Sequence, residues 1–200
     1  MRVILATRNK SKLAQIGGIF TGTPFHVVGL DEVGVEGEVS EDGDTLRANA
    51  LIKARFAWEK THAWSMADDT GLFIDALSGE PGIHAARWAG EGKSTEDILA
   101  FTLAAIAHVP LARRTATFRT VAALISPEGN ELFFSGSIPG ILLVSPRTAC
   151  QPNMPYSPLF VPEGSEKVWA EMDTKEENEV SHRGKAFRQL RDFLMEAHVS

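Results

Sequence analysis

The sequence predicts a mixed α/β or α+β fold, in which helices flank a central mixed β-sheet and the chain forms two lobes. Two observations lead to this fold class. In the first part of the chain, short apolar strands alternate with segments whose apolar residues recur at helical spacing. From residue 115 onward, two strand-like segments flank a turn, which is typical of a hairpin. Because no internal repeat or long linker interrupts the 200 residues, we expect one domain over residues 1–200.

The first 61 residues predict two strands, each followed by a helix. The apolar segments 3–6 and 25–30 have the length and composition of buried strands. Asn9 is a suitable N-cap for the first helix. An acidic loop over 31–44 precedes the second helix, over 45–61. The apolar residues at helical spacing are Leu13, Ile16 and Phe20 in the first helix and Leu46, Ala50, Ala54, Ala57 and Trp58 in the second.

The middle of the chain predicts two short strands, a turn and a third helix. An apolar run that ends in Asp68 and Asp69 predicts one strand, and residues 72–74 predict the next. Glu-Pro-Gly at 80–82 indicates a turn. A helix is expected over 94–107, because its first four residues, Ser-Thr-Glu-Asp, have the spacing of a capping box.

The last part of the chain predicts a hairpin, one further strand, a loop and a terminal helix. Strand segments 115–125 and 131–137 flank the turn Pro-Glu-Gly-Asn, and residues 141–144 predict another strand. A loop with four prolines follows over 145–158, and an amphipathic helix starts near Ser181. The buried face of that helix is expected to include Phe187, Leu190 and Phe193 or Leu194.

Composition limits the function classes. The chain is 44% apolar, which supports a substantial core, and its net charge of −6 argues against a general nucleic-acid binder. The single Cys150 excludes an intrachain disulfide and fits a reducing compartment. The apolar start is too short for a signal peptide, and no apolar run reaches about 18 residues, the length of a membrane span. We therefore expect a cytoplasmic protein without nucleic-acid or membrane partners.

The adjacent carboxylates Asp68 and Asp69 are the most informative feature of the sequence. Neighbouring side chains in a strand point to opposite faces, so the two cannot both be solvated. If the strand is buried on both faces, at least one carboxylate needs a partner, because an unpaired buried charge is very costly. Suitable partners are a hard cation or a basic side chain. The alternative is a turn in which an Asp caps local backbone amides.

Basic residues cluster where the first and last helices are predicted to begin, although a helix N-terminus disfavours cations. In an acidic protein such clusters indicate a bound anion, because free backbone amides with nearby Lys and Arg side chains form a phosphate site. The alternative is that both helix ends are simply solvated. Lys53, one turn after Asn49, is a third basic candidate. With the acidic groups at 41–44 and 68–69, this pattern fits a metal-bound polyphosphate. The clustered residues are Arg8, Lys10, Lys12, His182, Arg183 and Lys185.

Five short motifs span nearly the whole chain. They are T-R-N-K-S-K over 7–12, E-D-G-D-T-L over 41–46 with N-A-L-I-K-A over 49–54, A-D-D-T-G-L over 67–72, P-G-I-H-A-A-R-W over 81–88 and S-H-R-G-K-A over 181–186. Together and in this order they resemble the motifs of the inosine/xanthosine triphosphate pyrophosphatase family, also called the Ham1 or RdgB family.

The resemblance implies an elongated mixed sheet flanked by helices, with two lobes and a cleft between them (the ITPase-like, or anticodon-binding-like, fold). It also implies a homodimer and a Mg²⁺-dependent reaction that splits a nucleoside triphosphate into the monophosphate and pyrophosphate. The implied substrates are the deaminated purine nucleotides ITP, dITP and XTP. Glu41 and Asp69 would hold Mg²⁺, Asp69 helped by Asp68 would activate water, and Lys53 would steady the phosphates.

The resemblance also implies which residues bind the substrate. His182 and Arg183 would contact the purine, and Thr70 and Tyr156 would line the nucleotide. The residues that would hold the triphosphate are Thr7, Arg8, Asn9, Lys10, Ser11 and Lys12.

The sequence departs from the family pattern where the base would be read. The family has G-G-F-G-[YW]-D-P-[IV]-F at the place of residues 152–160, so Met154 replaces a stacking aromatic, Pro155 a glycine and Ser157 an acidic residue. Glu177 stands where the family has a lysine. We therefore expect an active pyrophosphatase with altered base preference. Two alternatives remain, an ordinary ITP/XTP pyrophosphatase and a catalytically weak nucleotide-binding paralogue that acts as a binding or interaction protein.

Overall fold

The structure, a computed structural model, describes residues 1–37 and 39–199 and confirms the mixed α/β fold. Its α-helices are α1 (Lys10–Ile19), α2 (Leu46–Thr61), α3 (Thr95–Ala105), α4 (Thr174–Val180) and α5 (His182–Val199). Its strands are β1 (Arg2–Leu5), β2 (His26–Gly29), β3 (Ser65–Ile74), β4 (Pro81–Gly82), β5 (Thr115–Ile125), β6 (Glu131–Leu142) and β7 (Phe160–Pro162). Among the described residues, no helix is long and apolar enough to cross a membrane.

The strands form one mixed sheet in the order β2-β1-β3-β5-β6-β7, and β4 pairs with β3. β1 runs parallel to β2 and to β3, whereas the pairs β3–β4 and β6–β7 are antiparallel. The register pairs Leu5 with Met66, and the backbone N–H of Ala6 donates to the carbonyl of Met66 at 2.8 Å. This pairing brings the segment that follows β1 beside the aspartates that follow Met66.

One compact unit contains Met1–Asp69, Thr120–Gly136 and the chain from His182 onward. Its part of the sheet is buried on both faces, because successive strand residues alternate between two apolar layers. The layer with α1 and α5 includes Val3, Leu5, Met66, Leu124, Ile16, Phe187 and Leu190. The layer with α2 includes Ile4, Ala67, Ala123, Ala50, Ala54 and Ala57.

The other compact unit contains Thr70–Arg119 and Ser137–Ser181. Three aromatic rings form the centre of its core. Phe118 lies 4.5 Å from Trp169 and 4.9 Å from Phe160 between ring centroids, and the last two rings are 4.7 Å apart. Such aromatic contacts add to the stabilisation from burial itself.

Most predicted elements are confirmed, and two caps follow the sequence prediction closely. The Asn9 side chain accepts a hydrogen bond from the backbone N–H of Lys12 at 3.1 Å, so Asn9 is the N-cap of α1. Ser94 and Asp97 form both hydrogen bonds of the capping box of α3. Both caps depend on residues three positions apart, which explains why the sequence shows them.

Two boundary predictions are wrong, and both errors involve glycines. The strands predicted near Asp69 and over 72–74 are a single strand, β3, and the strands predicted over 131–137 and 141–144 are a single strand, β6. A Cβ atom added at Gly71 would lie 2.6 Å from the Gly82 carbonyl oxygen, and one at Gly140 would collide with Phe160. These glycines allow close approach inside a strand and do not end it.

Candidate active site

The two adjacent aspartates of β3 point to opposite faces of the sheet, as expected for neighbours in a strand. Asp68 shares the face of Met66, which packs with α1 and α5, whereas Asp69 shares the face of Ala67, which packs with α2. Only 2% of Asp68 and 9% of Asp69 is exposed. Both carboxylates have basic partners, so the alternative that places them in a turn is wrong.

Asp68 is held between two cations from different helices. The Nζ atom of Lys12, on α1, lies 3.1 Å from Oδ1 of Asp68, and Nε of Arg183, on α5, donates to Oδ2 at 3.1 Å. Nη1 of Arg183 also donates to the side-chain oxygen of Gln15 at 2.9 Å. One buried carboxylate therefore joins β3 to α1 and α5.

The charge state of Asp68 follows from these contacts. Burial alone would raise the pKa of Asp68, but Lys12 and Arg183 outweigh burial and hold that pKa well below its usual range. Asp68 is therefore ionised at neutral pH and is a poor proton acceptor. Its geometry suits holding two cations in place, while its help in activating water stays a prediction.

Asp69 is joined to the acidic loop through α2. Nζ of Lys53 donates to Oδ1 of Asp69 at 3.0 Å and to Oε2 of Glu41 at 2.9 Å. The Asn49 amide lies 3.4 Å from Oδ2 of Asp69, and its oxygen accepts a hydrogen bond from the backbone N–H of Gly43 at 2.9 Å. The predicted shared face of Asn49 and Lys53 is thus confirmed, and it places Glu41 beside Asp69.

The electrostatics of this second cluster differ from those around Asp68. Burial raises the pKa of Asp69 to about 6, although Lys53 opposes the change. Burial would lower the pKa of Lys53, but Asp69 outweighs it with help from Asp68 and Glu41, and the pKa of Lys53 is raised. Lys53 is therefore charged at neutral pH, and Asp69 has the pKa expected of a general base near neutrality.

The donor set at Glu41 and Asp69 fits a hard divalent cation. Both residues offer carboxylate oxygens, and the ammonium group of Lys53 already bridges them, so one cation can contact both. In the described part of the chain, no group of three or more His, Cys, Asp or Glu side chains could hold a metal by itself. Mg²⁺ commonly binds one or two carboxylates and completes its coordination with water and substrate phosphates, which matches this pair.

The segment between β1 and α1 places Lys12 in the Asp68 cluster. The backbone N–H of Asn9 donates to Oγ1 of Thr7 at 3.1 Å, and the Asn9 side chain caps the helix. Lys10 and Ser11 are exposed in the first turn. The side chain of Arg8 points away from the Asp68 cluster. Its contacts are with the chain after β2, where Nη2 donates to the Val35 carbonyl at 2.7 Å and Nε lies 3.2 Å from Asp31.

The positions expected to contact the base are mostly buried in the compact unit that contains Ser137–Ser181. The hydroxyl of Tyr156 donates to the Ala85 carbonyl at 2.8 Å, and 4% of Tyr156 is exposed. Ser157 is also buried; its hydroxyl donates to the Met154 carbonyl at 2.8 Å and accepts from the Gln151 backbone at 2.9 Å. These bonds close the turn 151–157, and contact of Tyr156 with a nucleotide stays a prediction.

The remaining predicted positions differ in exposure. His182 is buried at the start of α5, and burial, reinforced by the charge of Arg183, lowers the pKa of His182 well below its ordinary value. Its imidazole is therefore neutral at neutral pH. Thr70 is partly exposed directly after Asp69, and Glu177 is buried on α4. The roles implied for His182 and Thr70 stay predictions.

Sequence reasoning missed Gln15, which contacts Arg183. A neutral residue gives no charge signal. Its position three residues after Lys12 on the same helix face could have indicated that both side chains reach one cluster.

Comparison with known proteins gives one consistent result. Residues 3–193 match the Ham1 family. The chain is 42% identical over 193 residues to a dITP/XTP pyrophosphatase from Geobacter sulfurreducens, with 96% of each chain covered. It is 41% identical to a dITP/XTP pyrophosphatase from Frankia alni over the full length of both.

Two solved structures also resemble the protein. A HAM1 protein from Coxiella burnetii aligns with a TM-score of 0.86 and 32% identity, covering 98% of this chain and 99% of that one. A nucleoside-triphosphatase / dITP/XTP pyrophosphatase from Mycobacterium abscessus aligns with a TM-score of 0.73 and 37% identity, covering 95% and 98%.

Proposed function

The chain belongs to the Ham1 family, and from this membership we propose that it hydrolyses (deoxy)ITP- and XTP-type nucleoside triphosphates to the monophosphate and pyrophosphate. The names of the Geobacter and Frankia relatives support this substrate class. The single observation that carries the proposal is the cluster in which Lys53 bridges the exposed Glu41 and the buried Asp69. It joins a candidate base, a candidate metal site and a cation within one group of contacts.

In the proposed reaction, Asp69 accepts a proton from water while the water oxygen attacks phosphorus at the α,β bridge of the triphosphate. The new P–O bond forms as the bond to the bridging oxygen breaks, and pyrophosphate leaves with the electron pair. A pKa of about 6 leaves most Asp69 ionised at neutral pH and able to act as the base. Lys53 and Lys12 neutralise phosphate charge.

We propose Mg²⁺ as the cofactor, held by Glu41 and Asp69. When bound, it would supply positive charge against the charge that develops on the phosphate oxygens. His182 and Arg183 would contact the purine. The departures from the family pattern at Met154, Pro155 and Ser157 support an altered base preference.

We also propose that the protein acts in the cytoplasm as a homodimer. The single half-buried Cys150 fits a reducing compartment. Size-exclusion chromatography with light scattering tests the oligomeric state, and the expected mass is about twice the chain mass of 21.8 kDa. A mass of one chain at micromolar concentration would contradict the dimer.

The function is tested with a panel of ITP, dITP, XTP, dUTP and the four standard nucleoside triphosphates, each incubated with the protein and Mg²⁺. Pyrophosphate and orthophosphate are quantified separately. Release of pyrophosphate from inosine or xanthosine nucleotides supports the proposal, and the rate profile gives the base preference. Release of orthophosphate alone, or no release by folded protein, contradicts it.

A further inference from the structure

We infer that Gln15 is a positioning residue, which acts on the nucleotide through Arg183 by fixing the direction of its guanidinium group. The inference rests on the proposed function, because it concerns how Arg183 meets a nucleotide. Gln15 belongs to none of the five sequence motifs, and its link to the site exists only in the folded protein.

The geometry around Arg183 restrains a rigid group at two points. Nε donates to Oδ2 of Asp68 at 3.1 Å, and Nη1 donates to the side-chain oxygen of Gln15 at 2.9 Å. The guanidinium group is planar, and its N–H bonds have fixed directions. A single ion pair would leave the group free to swing about Asp68. Two acceptors, one on β3 and one on α1, define both its position and its plane.

The location of Gln15 supports a specific role for its side chain. Gln15 is 7% exposed and precedes Ile16, which is fully buried in the layer between the sheet, α1 and α5. A polar side chain in such a layer costs free energy unless it is hydrogen-bonded. The hydrogen bond from a charged guanidinium group is among the stronger ones available to an amide oxygen.

The arrangement also leaves binding capacity on Arg183. The bonds to Asp68 and Gln15 use Nε and one N–H of Nη1, so neither of these two contacts occupies the N–H groups of Nη2. Without Gln15, the ion pair with Asp68 would persist, but the nucleotide would have to order the guanidinium group on binding. We expect that ordering to lower affinity more than it slows the chemical step, because Arg183 bonds to Asp68 and Gln15, whereas Asp69 and Glu41 bond to Lys53.

The test compares Q15L, Q15E and Q189L with the wild type, using the nucleotide that the panel identifies as the best substrate. Q15L removes the acceptor, and we expect KM to rise about tenfold while kcat changes less than about twofold. Q15E keeps an acceptor for Nη1 and is expected to retain a KM near that of the wild type. Q189L is the matched control, because exposed Gln189 on α5 donates to the Ser135 carbonyl at 3.0 Å, away from Arg183.

A double-mutant cycle with R183A separates positioning from a general structural effect. If Gln15 acts through Arg183, Q15L adds no further rise in KM once Arg183 is removed. Far-UV circular dichroism confirms folding of each variant. If Q15L does not fold, Q15M, with a side chain of similar size, carries the same comparison.

Three results would overturn the inference. Q15L with an unchanged KM shows that Gln15 does not position Arg183. An equal rise in KM with and without Arg183 shows that the effect is structural. If the wild type releases no pyrophosphate, the proposed function and this inference fail together, whereas an active wild type with an unaffected Q15L overturns the inference alone.

Discussion

At the scale of single residues, Asp68 and Asp69 show how the two faces of one strand shift the pKa values of neighbouring carboxylates in opposite directions. Lys12 and Arg183 hold the pKa of Asp68 well below its usual range, whereas burial raises the pKa of Asp69 to about 6. The difference comes from the number of cations that each carboxylate faces. The same backbone segment thus provides a permanent anion for one side of the sheet and a titratable base for the other.

The substitution Asp69→Asn is expected to abolish turnover while the fold persists. It removes the proposed base and one of the two carboxylates proposed to bind the metal, so kcat should fall by at least about 100-fold. The neutral amide has the same shape, and Lys53 keeps its bond to Glu41. Pyrophosphate release and thermal unfolding by circular dichroism measure the two effects. Turnover equal to that of the wild type would remove Asp69 from the mechanism.

Metal binding should depend on pH through Asp69. A protonated carboxyl is a poor metal ligand, so Mg²⁺ affinity is expected to rise with pH up to about 6 and then level off. With a pKa of about 6, affinity at pH 5 should be about tenfold weaker than at pH 7. Titration calorimetry of Mg²⁺ into the protein without nucleotide measures this ratio, because a terminal phosphate would itself titrate at about pH 6. In the matched control, Asp69→Asn, the difference should disappear, and equal wild-type affinities at the two pH values would contradict the prediction.

At the scale of elements, the position of α5 is set by a glycine in β6. A Cβ atom at Gly136 would collide with the carbonyl oxygen of His182 and would lie 2.8 Å from Cβ of Lys185 and 2.9 Å from the backbone nitrogen of Ala186. Backbone atoms of a helix cannot move aside without moving the helix. The strand therefore fixes the first turn of α5, which carries His182 and Arg183.

We expect Gly136→Ala to lower the free energy of unfolding by about 1–3 kcal/mol, the usual cost of overpacking, and to raise KM by displacing Arg183. Gly17→Ala is the matched control. A Cβ atom at Gly17 meets no atom within 4 Å, and alanine is the better helix former, so stability should rise by up to about 1 kcal/mol. Denaturant unfolding measures both variants. A Gly136→Ala protein as stable as the wild type would show that α5 adjusts without cost.

Elements defined by local signals could be predicted from the sequence, and elements defined by distant neighbours could not. The N-cap Asn9 and the alanine-lined face of α2 depend on spacings of three or four residues. Gly71 indicates a turn when considered locally, but the structure places the backbone of β4 beside it. Helix α4 is an exception, because it was missed although Asp173 and Glu176 form a capping box; its sequence, TKEENEV, has few apolar residues and no helical periodicity.

The same distinction applies to the candidate site. The grouping of Lys53 with Glu41 and Asp69 could be anticipated, because the acidic groups at 41–44 and 68–69 and the basic Lys53 form a charge pattern in the sequence. The contact between Arg183 and Asp68 joins residues 115 positions apart, and only the sheet and helix packing brings them together. The further contact of Arg183 with Gln15 has no charge pattern in the sequence, and only the spacing of Gln15 from Lys12 on α1 could have indicated it.

At the scale of the whole molecule, a net charge of −6 coexists with a site whose charges are balanced. Each carboxylate of the site, including the exposed Glu41, faces at least one cation. A triphosphate would add negative charge to this balanced cluster, which favours its entry together with Mg²⁺. The cations are Lys12, Lys53 and Arg183, and the carboxylates are Glu41, Asp68 and Asp69.

Removal of divalent metal with EDTA is therefore expected to stop pyrophosphate release without unfolding the protein. Lys53 already forms an ion pair with both Glu41 and Asp69, so we expect the fold not to need the metal, in contrast to small metal-dependent domains. The melting temperature should change by less than about 4 °C, which corresponds to about 1 kcal/mol for a chain of this size. The measurement pairs thermal unfolding with pyrophosphate release in EDTA and after excess Mg²⁺ is restored. Full activity in EDTA would exclude the metal from the reaction. A large fall in melting temperature would show that Lys53 alone does not compensate the charges of Glu41 and Asp69.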